Sequence, residues 1–160
     1  MVSPLDLLNP RGRMRRREAW AGGLLLAGLA VVLVWGLVGV TDGRSTSLVA
    51  TLLLAWPVTV VMAKRLHDRG KTAWPWLLLY LGPTLLLTVL QQLEIGYVWR
   101  GGIAYPMSFG RVVFPNNILP NLLSFGALLT GLVGAFETAF LPGENGPNEY
   151  GPDPRVFRHE

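Results

Sequence analysis

The sequence predicts an all-α integral membrane protein: a four-transmembrane-helix bundle with kinked spans, short basic cytoplasmic loops and one longer outer loop. Three observations predict it. Of 160 residues, 51% are hydrophobic and only 15% charged, against roughly 25% charged in an ordinary soluble domain. The apolar residues lie in four long blocks nearly free of formal charge, the pattern of membrane spans and not of a helix or strand half-buried on a soluble core. Lysines and arginines collect in alternate connections between those blocks. This pattern excludes a soluble enzyme, a disulfide scaffold and a disordered chain. With no cysteine, thiol catalysis and cysteine metal sites are excluded as well.

Residues 1–18 form a basic cytoplasmic segment, and the membrane domain runs over 19–141. Its first span, 19–40, rises about 33 Å at 1.5 Å per residue, enough for a hydrocarbon core of about 30 Å. The run is too long for a signal peptide and ends in Gly39-Val40-Thr41-Asp42-Gly43, without a small-residue cleavage pattern, so an uncleaved anchor is expected. The second span, 45–63, carries Trp56-Pro57 near its middle, and a kink is expected there because proline removes a backbone donor. The third, 73–93, opens on Trp74-Pro75-Trp76, with a proline suited to a first helical turn and indoles suited to headgroup depth. Pro83 predicts a second kink in this span.

The connection from Glu94 to Asn117 is the longest. Tyr97, Trp99 and Tyr105 favour the membrane boundary, and Gly101, Gly102 and Pro106 argue against a regular helix. It reads as a partly interfacial loop with room for a short hairpin. The fourth span, 118–141, starts after Asn116-Asn117 with Pro120 in its first turn. A Gly- and Pro-rich cytoplasmic tail fills 142–160.

Orientation follows from the basic residues. Arg11, Arg13, Arg15, Arg16 and Arg17 precede the first span, Lys64, Arg65, Arg69 and Lys71 lie between the second and third, and Arg155 and Arg158 lie in the tail. Only Arg44, Arg100 and Arg111 fall on the other side. Eleven against three places both termini in the cytoplasm. In a membrane chain this excess points to anionic lipid. With no alternation of aromatic and basic residues in any loop, a nucleic-acid partner is not expected. On the fourth span Ala127, Gly131, Ala135 and Ala139 recur every four residues, a ridge that suits close helix approach inside the bundle, or else a homo-oligomer interface through Ala127, Gly131 and Ala135.

Three strings at span boundaries carry a resemblance. They are Gly12-Arg13-Met14-Arg15-Arg16-Arg17-Glu18-Ala19-Trp20, then Lys64-Arg65-Leu66-His67-Asp68-Arg69-Gly70 continuing to Trp74, then Pro142-Gly143-Glu144-Asn145-Gly146-Pro147-Asn148-Glu149-Tyr150-Gly151 continuing to Pro154. In this order they resemble the YhaH-type small bacterial inner-membrane proteins, domain of unknown function 805. Pro10, Ala19 and Pro75 stand where that family usually has aromatics, and two spans separate Trp74 from Pro142 where compact members have about one. The resemblance implies a multi-pass protein of the bacterial inner (plasma) membrane with no assigned activity.

The strings also hold the candidate site residues. Arg13, Arg16 and Glu18 in the first, with Arg65, His67 and Asp68 in the second, are candidates for binding an anionic headgroup or a partner. Arg13 and Arg16 would share one helix face, with Glu18 orienting one of them or complementing the helix N-terminus. Arg65 and Asp68 would clamp the end of the second span, with Gly70 stopping it and His67 bonding across the cytoplasmic face. In the tail, Asn148, Tyr150 and Asp153 form a candidate clamp: Asp153 and Glu149 pair with Arg65 or Arg13, and Tyr150 inserts among the span ends. Glu137 is the one acidic residue well inside a span, and it either reaches the interface or forms an intramembrane site. His67 beside Asp68 evokes metal-dependent phosphohydrolases, but only His159 remains as a further histidine, so no metal and no cofactor are expected.

The function expected is non-catalytic: a membrane component whose cytoplasmic face binds anionic lipid headgroups or a protein partner. The alternatives are a subunit of a small-molecule transporter or channel, and a membrane-embedded enzyme acting on lipid phosphates through Arg13, Arg65, His67 and Asp68.

Overall fold

A computed structural model describes residues 8–38, 43–102, 110–115 and 118–155. Expectations resting on Val40, Tyr105, Pro106, Asn116, Asn117, Arg158 and His159 lie outside the described residues.

Helix α1 spans Arg16–Val38. It begins where the Glu18 carboxylate reaches back to accept the Arg15 N–H at 3.0 Å, the return half of a capping box. Arg13 therefore lies ahead of the helix, after Gly12 at φ +88°, and does not share a helical face with Arg16. Helix α2 spans Gly43–Asp68, five residues past the boundary expected at 63. Lys64, Arg65, His67 and Asp68 thus form its charged last turns, beyond the apolar stretch. The helix closes in a Schellman motif. The Lys71 N–H bonds the Leu66 carbonyl at 3.0 Å and the Gly70 N–H bonds that of His67 at 3.1 Å, and Gly70 takes the positive φ of +66° that the motif needs.

Helix α3, Ala73–Gln92, starts after an extended Thr72 and holds Pro75 in its first turn. Pro57 in α2 and Pro83 in α3 sit inside continuous helical runs. In the long connection, β1 (Tyr97–Gly102) pairs antiparallel with β2 (Gly110–Pro115), from Tyr97 opposite Pro115 to Gly102 opposite Gly110, so the hairpin is formed there. Helix α4 spans Ile118–Phe140.

All four helices are long and apolar enough to cross a membrane, with mean hydropathies of 2.1, 1.5, 1.6 and 1.7. Their apolar residues mostly face outward. Only 11% of the apolar stretch is buried in α1 and in α3, against 39% in α2, the central helix. Leu24, Val32, Leu52 and Leu122 are each more than 60% exposed, a surface that water would not tolerate over such an area. Chain neighbours pack on one another, α1 on α2, α2 on α3 and α3 on α4, while α1 and α4 touch sparingly. The tight core lies toward the C-terminal end of α2, where Val60 and Leu66 are fully enclosed and Tyr80 of α3 is 2% exposed.

The small-residue ridge of α4 does not pack as one face. Pro120, Ala127, Gly134 and Thr138 are buried, whereas Gly131 is half-buried and Ala135 exposed. Packing follows a spacing near seven because Tyr80 occupies the slot over Gly134, where an added Cβ would stand 2.6 Å from its ring. Ala127 is buried inside the chain, whereas Ala135 is exposed.

A polar cap at one end of the bundle

Four segments converge where α1 begins and α2 and α4 end: the stretch before α1, the α2 terminus, the α4 terminus and the tail. Asp68 is at the centre. Its carboxylate takes a hydrogen bond from Arg65 at 2.6 Å and one from the Arg13 Nε at 3.1 Å, and both guanidinium groups are nearly sealed, at 0% and 1% exposed.

Each guanidinium then turns its remaining donors to backbone carbonyls. Arg65 donates to Thr138 at 2.8 Å, Met14 at 3.1 Å and Leu141 at 2.7 Å. Arg13 donates to Gly146 at 2.6 Å, Glu144 at 2.8 Å, and Gly151 and Asp68 at 3.4 Å. The recipients explain why arginine is buried here. The last carbonyls of a helix have no partner within it and form the negative end of its dipole. At the α4 terminus, Thr138 and Leu141 are taken by Arg65, Ala139 by the Trp20 indole at 3.0 Å, and Phe140 by Arg16 at 3.3 Å.

The tail closes the α2 terminus in the same way. The Glu144 N–H bonds the Asp68 carbonyl at 2.8 Å, and the Asn148 amide bonds that of His67 at 2.9 Å. Gly143 packs so closely on Asp68 that an added Cβ would overlap its carboxylate. Asn148 and Gly151 bond each other's backbones at 3.0 Å, with Gly151 at φ +136°, and this turn carries Tyr150 onto the His67 ring, stacked at 4.1 Å with 4° between planes. His67 faces Gly12 on its other side, Nδ1 lying 3.2 Å from that carbonyl oxygen. Hydrogen bonding to Glu149, with burial, holds the Tyr150 hydroxyl above its ordinary pKa.

Two expectations are corrected. Asp153 pairs with neither Arg65 nor Arg13. It accepts the Gly146 N–H at 2.9 Å and holds Arg155 at 2.9 Å, an internal clasp of the tail. Those bonds, Arg155's foremost, keep the Asp153 carboxyl below its ordinary pKa, and Asp153 raises that of Arg155 in return. Glu149 stands beside Tyr150, and the guanidinium donors of Arg13 and Arg65 go to other groups. In this arrangement Asp68 and seven carbonyls take the donors of Arg13 and Arg65.

Glu137 sits one helical turn from the end of α4. It is 6% exposed, and its carboxylate bonds Arg69, Lys71 and the Tyr80 hydroxyl, tying α4 to α3 and to the turn between α2 and α3. Lys71 also lies 4.0 Å over the Trp76 ring. Sequence reasoning used Arg69 and Lys71 only as topology charges and gave Trp20 no role. The signal for Trp20 was its place in the first string, one helical turn inside α1. Among the described residues no group of three or more His, Cys, Asp or Glu is placed to hold a metal ion.

Four apolar helices sealed at one end by the chain's own N-terminal segment and tail define a small multi-pass helical protein with a self-locked cap. The chain belongs to the family described as Protein of unknown function (DUF805), which matches residues 7–152 and so takes in the first two strings whole and the third as far as Pro152. "Uncharacterized protein YiiR" of Escherichia coli (strain K12) and that of Escherichia coli O157:H7 are each 28% identical to it over 155 residues, covering 96% of this chain and 91% of theirs. No solved structure matches the chain.

Proposed function

We propose that this protein is a non-catalytic multi-pass component of the bacterial inner membrane, with both termini in the cytoplasm and a cytoplasmic face that binds anionic lipid headgroups. One observation supports it above others: the residues that would do chemistry, Arg13, Arg65 and Asp68, are engaged with one another and with helix-end carbonyls. Arg11, Arg16 and Arg17 are exposed around that cap. Each is worth about 1 kcal/mol against an anionic surface, and guanidinium suits phosphate.

The test is lipid selectivity of the full chain reconstituted in vesicles mixed from phosphatidylglycerol and phosphatidylcholine. Replacing Arg11, Arg16 and Arg17 together by Gln is expected to abolish enrichment of phosphatidylglycerol around the protein and leave the helical signal intact. Unchanged enrichment rejects the reading. A stoichiometric protein recovered with the native chain, and lost in the triple variant, replaces lipid by a protein partner.

A further inference from the structure

A groove of about 910 Å³ runs between α1 and α4, floored by Val58 and Val61 of α2. That is within the roughly 300–1,000 Å³ of small-molecule sites. It exists because two small-residue faces stand opposite without meeting: Gly23, Ala27 and Ala30 on α1, Gly131 and Ala135 on α4. An added Cβ at Gly23 or Gly131 meets nothing within 4 Å, whereas at Gly134 it strikes Tyr80 at 2.6 Å. At the cap, Arg16 and Trp20 draw the two helices together through the carbonyls of Phe140 and Ala139. Beyond that stitch the walls part.

Shape and charge choose the occupant. From Ala19 to Ala30 the α1 wall runs about 17 Å, close to one leaflet of a hydrocarbon core about 30 Å thick. A second copy of a spanning helix would need a face twice as long. The lining is apolar apart from Thr138, whose hydroxyl is turned back to its own helix at the Gly134 carbonyl, 2.8 Å away. At the mouth Trp20 meets Phe140 edge to face at 5.4 Å, and the exposed Arg16 gives one N–H to Phe140. An apolar slot one leaflet deep, opening beside an exposed guanidinium, complements a ligand with a long hydrocarbon chain and an anionic head. We propose that this groove holds one acyl chain of an anionic phospholipid, whose phosphate lies against Arg16. The inference rests on the headgroup reading for the charge of the ligand and goes beyond it in assigning a discrete, stoichiometric site.

The experiment uses full-length protein in mild detergent, incubated with equimolar phosphatidylglycerol and phosphatidylcholine, with bound lipid counted by native mass spectrometry. One phosphatidylglycerol per chain is expected. Gly23→Leu and Gly131→Leu, which alter no charge, are each expected to lower occupancy tenfold or more. Arg16→Gln is expected to keep a lipid but reduce the preference for phosphatidylglycerol about fivefold, the equivalent of about 1 kcal/mol. On the unaltered chain, one equivalent of phosphatidylglycerol brominated in its acyl chains is expected to quench Trp20, read as the difference from Trp20→Phe. Absence of that quenching, lipid retention unaffected by both leucine variants, or a dimer mass that Gly131→Leu dissolves would each overturn the proposal. Silent leucine variants beside a triple arginine variant that loses phosphatidylglycerol enrichment remove the groove site and leave the headgroup reading standing. Groove occupancy without anionic preference does the reverse.

Discussion

Asp68 is a buried carboxylate between two buried guanidiniums, and the three are useful only together. Desolvating such charges offsets much of their attraction, yet removing one partner leaves the others stranded at a cost of about 3–5 kcal/mol. Asp68→Ala is therefore expected to destabilise the protein by about that much, read from thermal unfolding in detergent. In double-mutant cycles Arg65 and Asp68 are expected to couple by about 0.5–3 kcal/mol, while Arg65 and Asp153, each bonded elsewhere, show no coupling. Asp153 gives a separate pH signature. Its folded carboxyl lies below the ordinary 3.8 because Arg155 and the Gly146 N–H bond the charged form. Its contribution is then fully present above about pH 4 and is lost as pH falls through the lower folded value. Protease cleavage of the tail is expected to be flat from pH 7 to 5 and to rise in stronger acid, and Asp153→Asn should cleave readily throughout. At this scale the sequence revealed which residues matter but not their pairing. Arg65 and Asp68, three apart on one helix, were legible as partners. That Arg13 joins them from 55 residues away, and that Asp153 prefers the neighbouring Arg155, depends on how the tail turns at Gly146 and Gly151, which spacing does not encode.

Among the elements, α4 shows how a helix of small residues divides its labour. Gly134 and Gly131 are three residues apart, but one faces the Tyr80 ring and the other open space. Gly134→Ala is expected to force α3 and α4 apart and cost about 1–3 kcal/mol through overpacking. Gly131→Ala should be neutral in the same unfolding assay, and equal effects would mean that α4 packs through its four-residue ridge after all. The apolar lengths of all four helices were plain from composition, and so was the glycine that ends α2. The charged last turn of α2, from Lys64 to Asp68, lies beyond the apolar stretch, and only the Gly70 stop signal marked it as helix. The hairpin was open: Gly101 and Gly102 rule out a helix, but pairing requires the second strand to lie in register.

For the whole molecule, the decisive relation is that Arg13 reaches the carbonyls of Gly146 and Gly151. Residues bonded to one another occupy one side of any membrane the helices cross, so the segment before α1 and the tail must share a compartment and the number of crossings between them must be even. Four helices meet that condition, and the hairpin after α3 then falls on the opposite side. In the orientation proposed above, the side rich in Lys and Arg is the cytoplasmic one, as short basic loops favour. The chain has no cysteine, so single introduced thiols report without background. Leu93→Cys, at an exposed position after α3, and Pro152→Cys, exposed in the tail, are expected to label oppositely with a membrane-impermeant maleimide. Leu93→Cys should react in spheroplasts, and Pro152→Cys only after the membrane is opened. Thiols at both positions reacting from one side would break the even count and, with it, the cap as the meeting place of the three strings. Opposite labelling in the reverse sense would keep the cap and turn the protein over, placing the arginine rim and the groove mouth in the outer leaflet.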